Sequence, residues 1–159
     1  MRVGIGYDIH RLVEERKLFL GGIEIPYVKG LVSHTDGDVV LHAIADAILG
    51  ALALGDIGQH FPDSDPGYKN MPSGDILQKV ARILAEKNYV VVNIDMSIIA
   101  EEPKIYPFKD KMVENIANIL GVERARINVK ATTNEGVGSI GKGDAIAAYA
   151  VAMLEPKTS

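Results

Sequence analysis

Residues 2–10, RVGIGYDIH, alternate strictly. Val3, Ile5, Tyr7 and Ile9 fall on one side, and Arg2, Gly4, Gly6, Asp8 and His10 on the other. This is the period-two signature of a strand with one polar face. In KLFLGGIEIP (17–26) two short apolar runs flank Gly21-Gly22, which predicts a hairpin. LVSHTDGD reads as a loop leading into VVLHAIADAILGALAL (39–54), a helical segment that is apolar around its whole circumference. Such a helix is buried on several sides, with partner subunits as one source of cover. Residues 55–72 have the Gly, Pro and Asp density of a long, mobile loop.

Further on, Ser73 is placed to cap a helix whose stripe is Ile76, Leu77, Val80, Ile83 and Leu84. VVVNIDMSIIA (90–100) predicts a strand with Val90, Val92, Ile94, Met96 and Ile98 alternating with Asn93, Asp95 and Ser97. Pro107 opens a third helix striped by Phe108, Met112, Ile116, Ile119 and Leu120, and Gly121 ends it. RINVKATTNE (126–135) is a further strand, followed by the flexible turn GVGSIGKGD. Both faces of the last segment, AIAAYAVAMLE, are apolar, so periodicity leaves helix and strand open there. Strands separated by helices suggest a two-layer α/β sandwich.

Composition narrows the chemistry. At 159 residues the chain suits one domain, 1–159, with its own core. A net charge of −4 gives no footprint for nucleic acid or an anionic membrane. No apolar run approaches the roughly 20 residues of a membrane span, and no signal region is evident, so a cytoplasmic location is expected. With no cysteine, a metal must be held by His, Asp, Glu or water. The four histidines, His10, His34, His42 and His60, all lie in the first 60 residues.

Asp8 and His10, two apart on a strand, point the same way. His42 is a costly residue to bury on an apolar helix without a partner. Asp38 and Asp46, one turn to either side, could each hold it in one tautomer. Two histidines and a carboxylate suit a catalytic zinc, although spacing alone favours two unrelated histidines, one at a strand end and one satisfied in the core. His34 precedes a helix start and could meet an anion or remain solvated; His60 reads as exposed. Asp63 and Asp65 could bind hydroxyls or a metal, or simply form turns. Thr132, Thr133 and Glu135 at a strand end could hold phosphate and magnesium, or cap a turn. Lys104 could pair with a phosphate.

GYDIHRL, GGIEIP, SHTDGDVVLHAIADAILGALALGDIG, FPDSDP, AEEPK and KATTNE, in this order and spacing, resemble the 2-C-methyl-D-erythritol 2,4-cyclodiphosphate synthases over nearly the whole chain. The resemblance implies an α+β two-layer sandwich. It would have a mixed four-stranded sheet, helices on one face and a small N-terminal hairpin, assembled as a homotrimer with active sites at subunit interfaces. It also makes the C-terminal segment a strand. The implied activity is a phosphorus–oxygen lyase of the non-mevalonate isoprenoid route. Its substrate is 4-diphosphocytidyl-2-C-methyl-D-erythritol 2-phosphate, whose 2-phosphate attacks the β-phosphate and expels CMP.

Carried over position by position, Asp8, His10 and His42 match the zinc ligands, and Glu135 matches the holder of a magnesium or manganese ion. His34 and Thr133 match the residues assigned to transition-state stabilisation. Asp8, His10, His34, Thr35, Asp56, Ile57 and Gly58, with the loop Phe61, Pro62, Asp63, Ser64 and Asp65, match the methylerythritol phosphate pocket. Ala100, Glu101, Glu102, Pro103, Lys104, Ile105 and Tyr106, with Thr132, Thr133, Asn134 and Glu135, match the cytidine diphosphate side. Ser139 and Lys142 stand where the better-known members often carry an aromatic and an arginine. In some members the central cavity nearby binds an isoprenoid diphosphate. Serine offers less apolar contact, and lysine lacks the bidentate fork of arginine. The same three zinc ligands would also serve a zinc phosphoesterase, which needs a metal-bound water and a base near it that nothing beyond His34 suggests; a non-catalytic trimer could act as an isoprenoid diphosphate sensor, against which the intact Asp8, His10, His42 and Glu135 argue.

Overall fold

The first strand's two faces, apolar and glycine-rich, decide how the molecule is layered. In the computed structural model, which describes residues 1–158, β1 (Arg2–Glu14) turns the glycine face toward the helices and the apolar face away from them. The short strands β2 (Leu18–Leu20) and β3 (Ile23–Ile25) form the expected hairpin. Gly21 (φ 64°) and Gly22 (φ 77°) take left-handed conformations that a tight two-residue turn demands. β4 (Lys29–Leu31) then pairs antiparallel with the far end of β1.

The helices α1 (Val39–Ala51), α2 (Ile57–His60) and α3 (Ser73–Glu86) precede β5 (Tyr89–Ile99). α4 (Lys109–Leu120), β6 (Ile127–Thr132), the single turn α5 (Gly138–Gly141) and β7 (Ala145–Pro156) complete the order. The sheet runs β4-β1-β7-β5-β6, antiparallel except for β5 with β6. It is therefore a mixed α+β sheet of five strands rather than four, because three-residue β4 extends the β1 edge. The C-terminal segment is the central strand. Ile146, Ala148, Ala150, Ala152 and Leu154 face the helices, whereas Tyr149, Val151 and Met153 face outward, so each side is apolar for its own reason.

α1 lies across β1 and β7 at unusually short range. A Cβ on Gly4 would collide with the Ala47 carbonyl, and one on Gly6 with that of Ala43. The same strand rows carry Ala152 and Ala150 on β7, so a floor of small residues seats the helix. α1 is buried on nearly all sides within its own chain; only Asp46 and Gly50 reach solvent. Partner subunits are not what covers it. The uncovered apolar surface is the opposite face of the sheet, where Val3 is 65% and Ile5 70% exposed beside Tyr7, Ile9, Tyr149, Val151 and Met153.

Three local expectations change. A bulge between Val91 and Asn93 slips the β5 alternation, so Val91 is buried while Val90 and Val92 are only half-buried. Ser73 is the first residue of α3 and makes no cap of its own; its N–H instead donates to Asp36 Oδ2 at 2.9 Å. Segment 55–72 is organised by α2 and a short 3-10 turn at Pro66–Tyr68, and Asp56 and Asp65 cap these turns through Gln59 N–H and Gly67 N–H. Lys79 of α3 sits over the rings of Phe61 and Tyr68, which meet edge to face. Gly121 ends α4 in the left-handed conformation, as read from the sequence.

Candidate metal centre and the two half-sites

The glycine seat explains the first site. Because α1 touches the β1 backbone at Ala43, the neighbouring His42, in the helix's first turn, reaches the side chains that follow Gly6. His42 Nδ1 lies 2.9 Å from Asp8 Oδ2, and His10 Nε2 lies 3.0 Å from the same oxygen. The two imidazoles stand edge to face with centroids 5.7 Å apart. One donor atom from each of Asp8, His10 and His42 falls within 4.8 Å of the others, the only such group among the described residues.

These donors fit a divalent metal. Zinc bonds to nitrogen and oxygen at about 2.0–2.2 Å, which calls for donors roughly 3–3.5 Å apart. His10 Nε2 is buried and, apart from its 3.0 Å approach to Asp8 Oδ2, meets no polar partner among the described residues, as a nitrogen left open for a metal would. Burial pushes the Asp8 carboxyl up, but hydrogen bonds from His10 and His42 outweigh it and hold it below the usual range. Burial likewise opposes charge on His42, and the Asp8 hydrogen bond and negative charge reverse this, raising it above the ordinary 6.5. A cation resting among them would take over the role of those protons.

The two carboxylates expected to steer His42 do other work. Asp38, fully buried, accepts from Val40 and Leu41 N–H as the α1 cap and from Gly21 and Gly22 N–H of the hairpin turn. Asp46 accepts the Ile57 N–H at 2.8 Å and so fixes the start of α2. The partners of His42 Nε2 are Ser73 Oγ at 2.8 Å and Thr35 Oγ1 at 3.2 Å. Ser73 and Asp36 escaped sequence reading because helix-start serines and loop aspartates usually serve local caps. Only tertiary structure sets them beside residue 42.

Around this centre Asp8, His10, Ser33, Thr35, His42, Ile57, Gly58, Phe61, Asp63 and Ile76 line a cavity of about 190 Å³. Asp56, Pro62, Ser64 and Asp65 belong to the same loop but do not line it. The His34 backbone carbonyl accepts from Asn70 N–H, while its Nε2 is buried without a partner among the described residues. His60 is half-buried rather than free, its Nε2–H donating to the Leu54 carbonyl at 2.8 Å.

A second cavity, of about 180 Å³, brings together Ala100, Glu101, Pro103, Lys104, Ile105 and Tyr106 with Ala131, Thr132 and Thr133; Glu102 points elsewhere. Glu101 Oε1 accepts the N–H groups of Asn134 and Gly136, shaping the turn that carries exposed Glu135. Ser139 lines a third cavity with Ile9, His10, Arg11, Leu12, Asp144 and Ala145, of about 530 Å³, and Lys142 is exposed on the adjoining turn.

Within one chain the first two cavities share no residue. Asp8 pairs with Ala148, Ala148 with Ile98, and Ile98 with Ala131. Three strand spacings separate the groups, on the order of 14 Å. Glu135 is thus not gathered with the donor triad.

A family model described as the YgbB family matches residues 1–155. A curated 2-C-methyl-D-erythritol 2,4-cyclodiphosphate synthase of Alkaliphilus metalliredigens is 60% identical over 154 residues, 97% of each chain. Among solved structures, the bifunctional IspDF of Campylobacter jejuni matches with a TM-score of 0.94 and 41% identity, covering 98% of this chain and 42% of that longer one. IspF of Plasmodium falciparum, solved as a CDP complex, matches with a TM-score of 0.87 and 38% identity over 99% and 97% of the two chains.

Proposed function

The chain belongs to the YgbB family, that of the 2-C-methyl-D-erythritol 2,4-cyclodiphosphate synthases, and from this we propose that it cyclises 4-diphosphocytidyl-2-C-methyl-D-erythritol 2-phosphate with release of CMP. The observation that carries the reading is the convergence of Asp8, His10 and His42 at one point of a small cavity. Zinc bound there, with magnesium or manganese at Glu135, would supply Lewis-acid polarisation and charge neutralisation for the diphosphate.

The protein's own residues bind and orient. The nucleophile is the substrate's 2-phosphate, so the chain needs no Ser-His or Cys-His pair. Positioning two reacting groups can account for about 7–11 kcal/mol at best. His34 and Thr133 would stabilise the developing negative charge, the role that their positions match in the family. Thr35, Asp56–Gly58 and the 61–65 loop enclose the methylerythritol phosphate. The cleft of residues 100–106 with Thr132 takes the cytidine end. Phe61 and Ile76 keep bulk water from the reacting phosphates.

Because the two cavities are separate within a protomer, a complete site joins the donor triad of one subunit to the nucleotide cleft of its neighbour. The exposed apolar sheet face supports a homotrimer closed around that face. The single domain 1–159 would act in the cytoplasm. Ser139 and Lys142 offer an isoprenoid diphosphate less than an aromatic and an arginine would.

Incubation with the diphosphocytidyl substrate, zinc and magnesium, followed by phosphorus NMR, tests the proposal. Cyclic diphosphate plus CMP is expected. Free phosphate would replace this reading with hydrolysis, and no turnover would replace it with binding alone.

A further inference from the structure

His42 has its two ring nitrogens in different surroundings. Nδ1 faces Asp8 and His10; Nε2 faces the buried hydroxyls of Ser73 and Thr35. The Ser73 contact has a definite hydrogen-bond direction. Ser73, completely buried, has a single hydroxyl proton and gives it to Asp36 Oδ1 in a short hydrogen bond. Asp36 also accepts the Ser73 N–H through Oδ2 and the Asp38 N–H through Oδ1, so both its oxygens act as acceptors. An ionised carboxylate cannot return a proton. The Ser73 oxygen therefore meets His42 Nε2 with a lone pair, and the contact is favourable only if Nε2 carries hydrogen.

Thr35 is a second, longer contact whose hydroxyl proton is shared between Ser33 and His42. Its Oγ1 accepts the Gly37 N–H and exchanges a hydrogen bond with Ser33, which in turn accepts the Thr35 N–H. Its distance to His42 Nε2 is 3.2 Å, against 2.8 Å for Ser73.

We infer that Asp36 and Ser73 are positioning residues for the metal centre. They form a relay, His42 Nε2–H to Ser73 hydroxyl to Asp36 carboxylate, that fixes the His42 tautomer and leaves the Nδ1 lone pair aimed at the ion. Partners of this kind orient a ligand ring and raise its basicity. The relay also joins three separate segments: the 33–38 loop, the first turn of α1 and the first turn of α3. Neither residue touches the cavity, so neither is a catalytic residue.

The inference rests on the proposed metal site, and the test separates the two. Without metal, Asp8 Oδ2 at 2.9 Å from Nδ1 competes for the one proton of a neutral His42, so the ring is read with zinc bound. In zinc-loaded protein labelled with ¹⁵N-histidine, His42 should be coordinated through Nδ1 and show a slowly exchanging Nε2–H. Zinc affinity, measured by competition with a chromophoric chelator, should fall about 10–100-fold in Ser73→Ala. Ser73→Thr, which keeps the hydroxyl, should restore most of it, and Asp36→Asn should fall between. The Nε2–H should exchange faster in Ser73→Ala but not in Ser73→Thr. Wild-type His42 coordinated through Nε2 overturns the relay. So does a folded Ser73→Ala protein with wild-type zinc affinity. If Ser73→Ala fails to fold, the wild-type resonances decide. Wild-type protein that binds no zinc sinks the metal reading instead, and the relay is then read from the Nε2–H exchange of protonated His42.

Discussion

The donor triad and the proposed nucleotide cleft are built by opposite means. Asp8, His10 and His42 stand on a long strand and a buried helix, with the third donor tied to a buried serine and a half-buried aspartate. The cleft at 100–106 and 131–133 is a shallow arrangement of strand ends and turns, held by one carboxylate, Glu101, on two backbone N–H groups. Metal ligands must be held to within about half an ångström, which rigid elements provide. A flexible nucleotide can be received by loops. Damage to the first region should therefore be severe and spread to folding, and damage to the second should be graded and local.

Four changes probe that contrast. His42→Ala should abolish zinc binding and cut turnover by about 10³-fold or more, since a metal supplies several kcal/mol of charge stabilisation. Full zinc stoichiometry in this variant would remove His42 from the ligand set. Gly6→Ala should destabilise the fold by about 3 kcal/mol, because the methyl meets the Ala43 carbonyl and a packed helix yields poorly. A denaturation midpoint equal to wild type would show that the seat is looser than drawn.

Acid should next weaken zinc binding by up to about tenfold per pH unit, as protons compete for the ligands. The sign follows from His42. Its pKa is raised above 6.5, burial opposing and the Asp8 contact prevailing, so the loss begins as pH falls through that raised value. The Asp8 pKa is lowered, so Asp8 adds its own loss only in stronger acid. Affinity by chelator competition that stays flat across the histidine range would contradict this. Smallest is Glu135→Gln, which should slow turnover about fivefold, roughly 1 kcal/mol, and weaken the magnesium requirement with zinc stoichiometry intact. An unchanged magnesium dependence would break the assignment of Glu135 to the second ion.

Much of the site was legible in sequence because its signals are local. Asp8 and His10 follow from period two, whereas the residues of the cleft came only from the resemblance of AEEPK and KATTNE to a known family. His42 beside them was not derivable from spacing, since a contact between residues 8 and 42 depends on how closely α1 approaches β1. Gly4 and Gly6 carried that information, although only the packed helix shows what they make room for. Asp38 and Asp46 illustrate the opposite failure: correct helical spacing to His42, yet both face other backbone N–H groups. The β5 bulge and the fifth strand were lost because one inserted residue and a three-residue pairing leave no periodic trace.

Separation of the triad from the cleft by three strand spacings has a meaning in genetics. On the proposed reading, each working centre draws its halves from different copies of the polypeptide. A His42→Ala allele and a cleft allele such as Thr133→Ala would then complement one another when coexpressed. Mixed assemblies would contain some centres assembled from two undamaged halves, whereas two alleles in the same half would never do so.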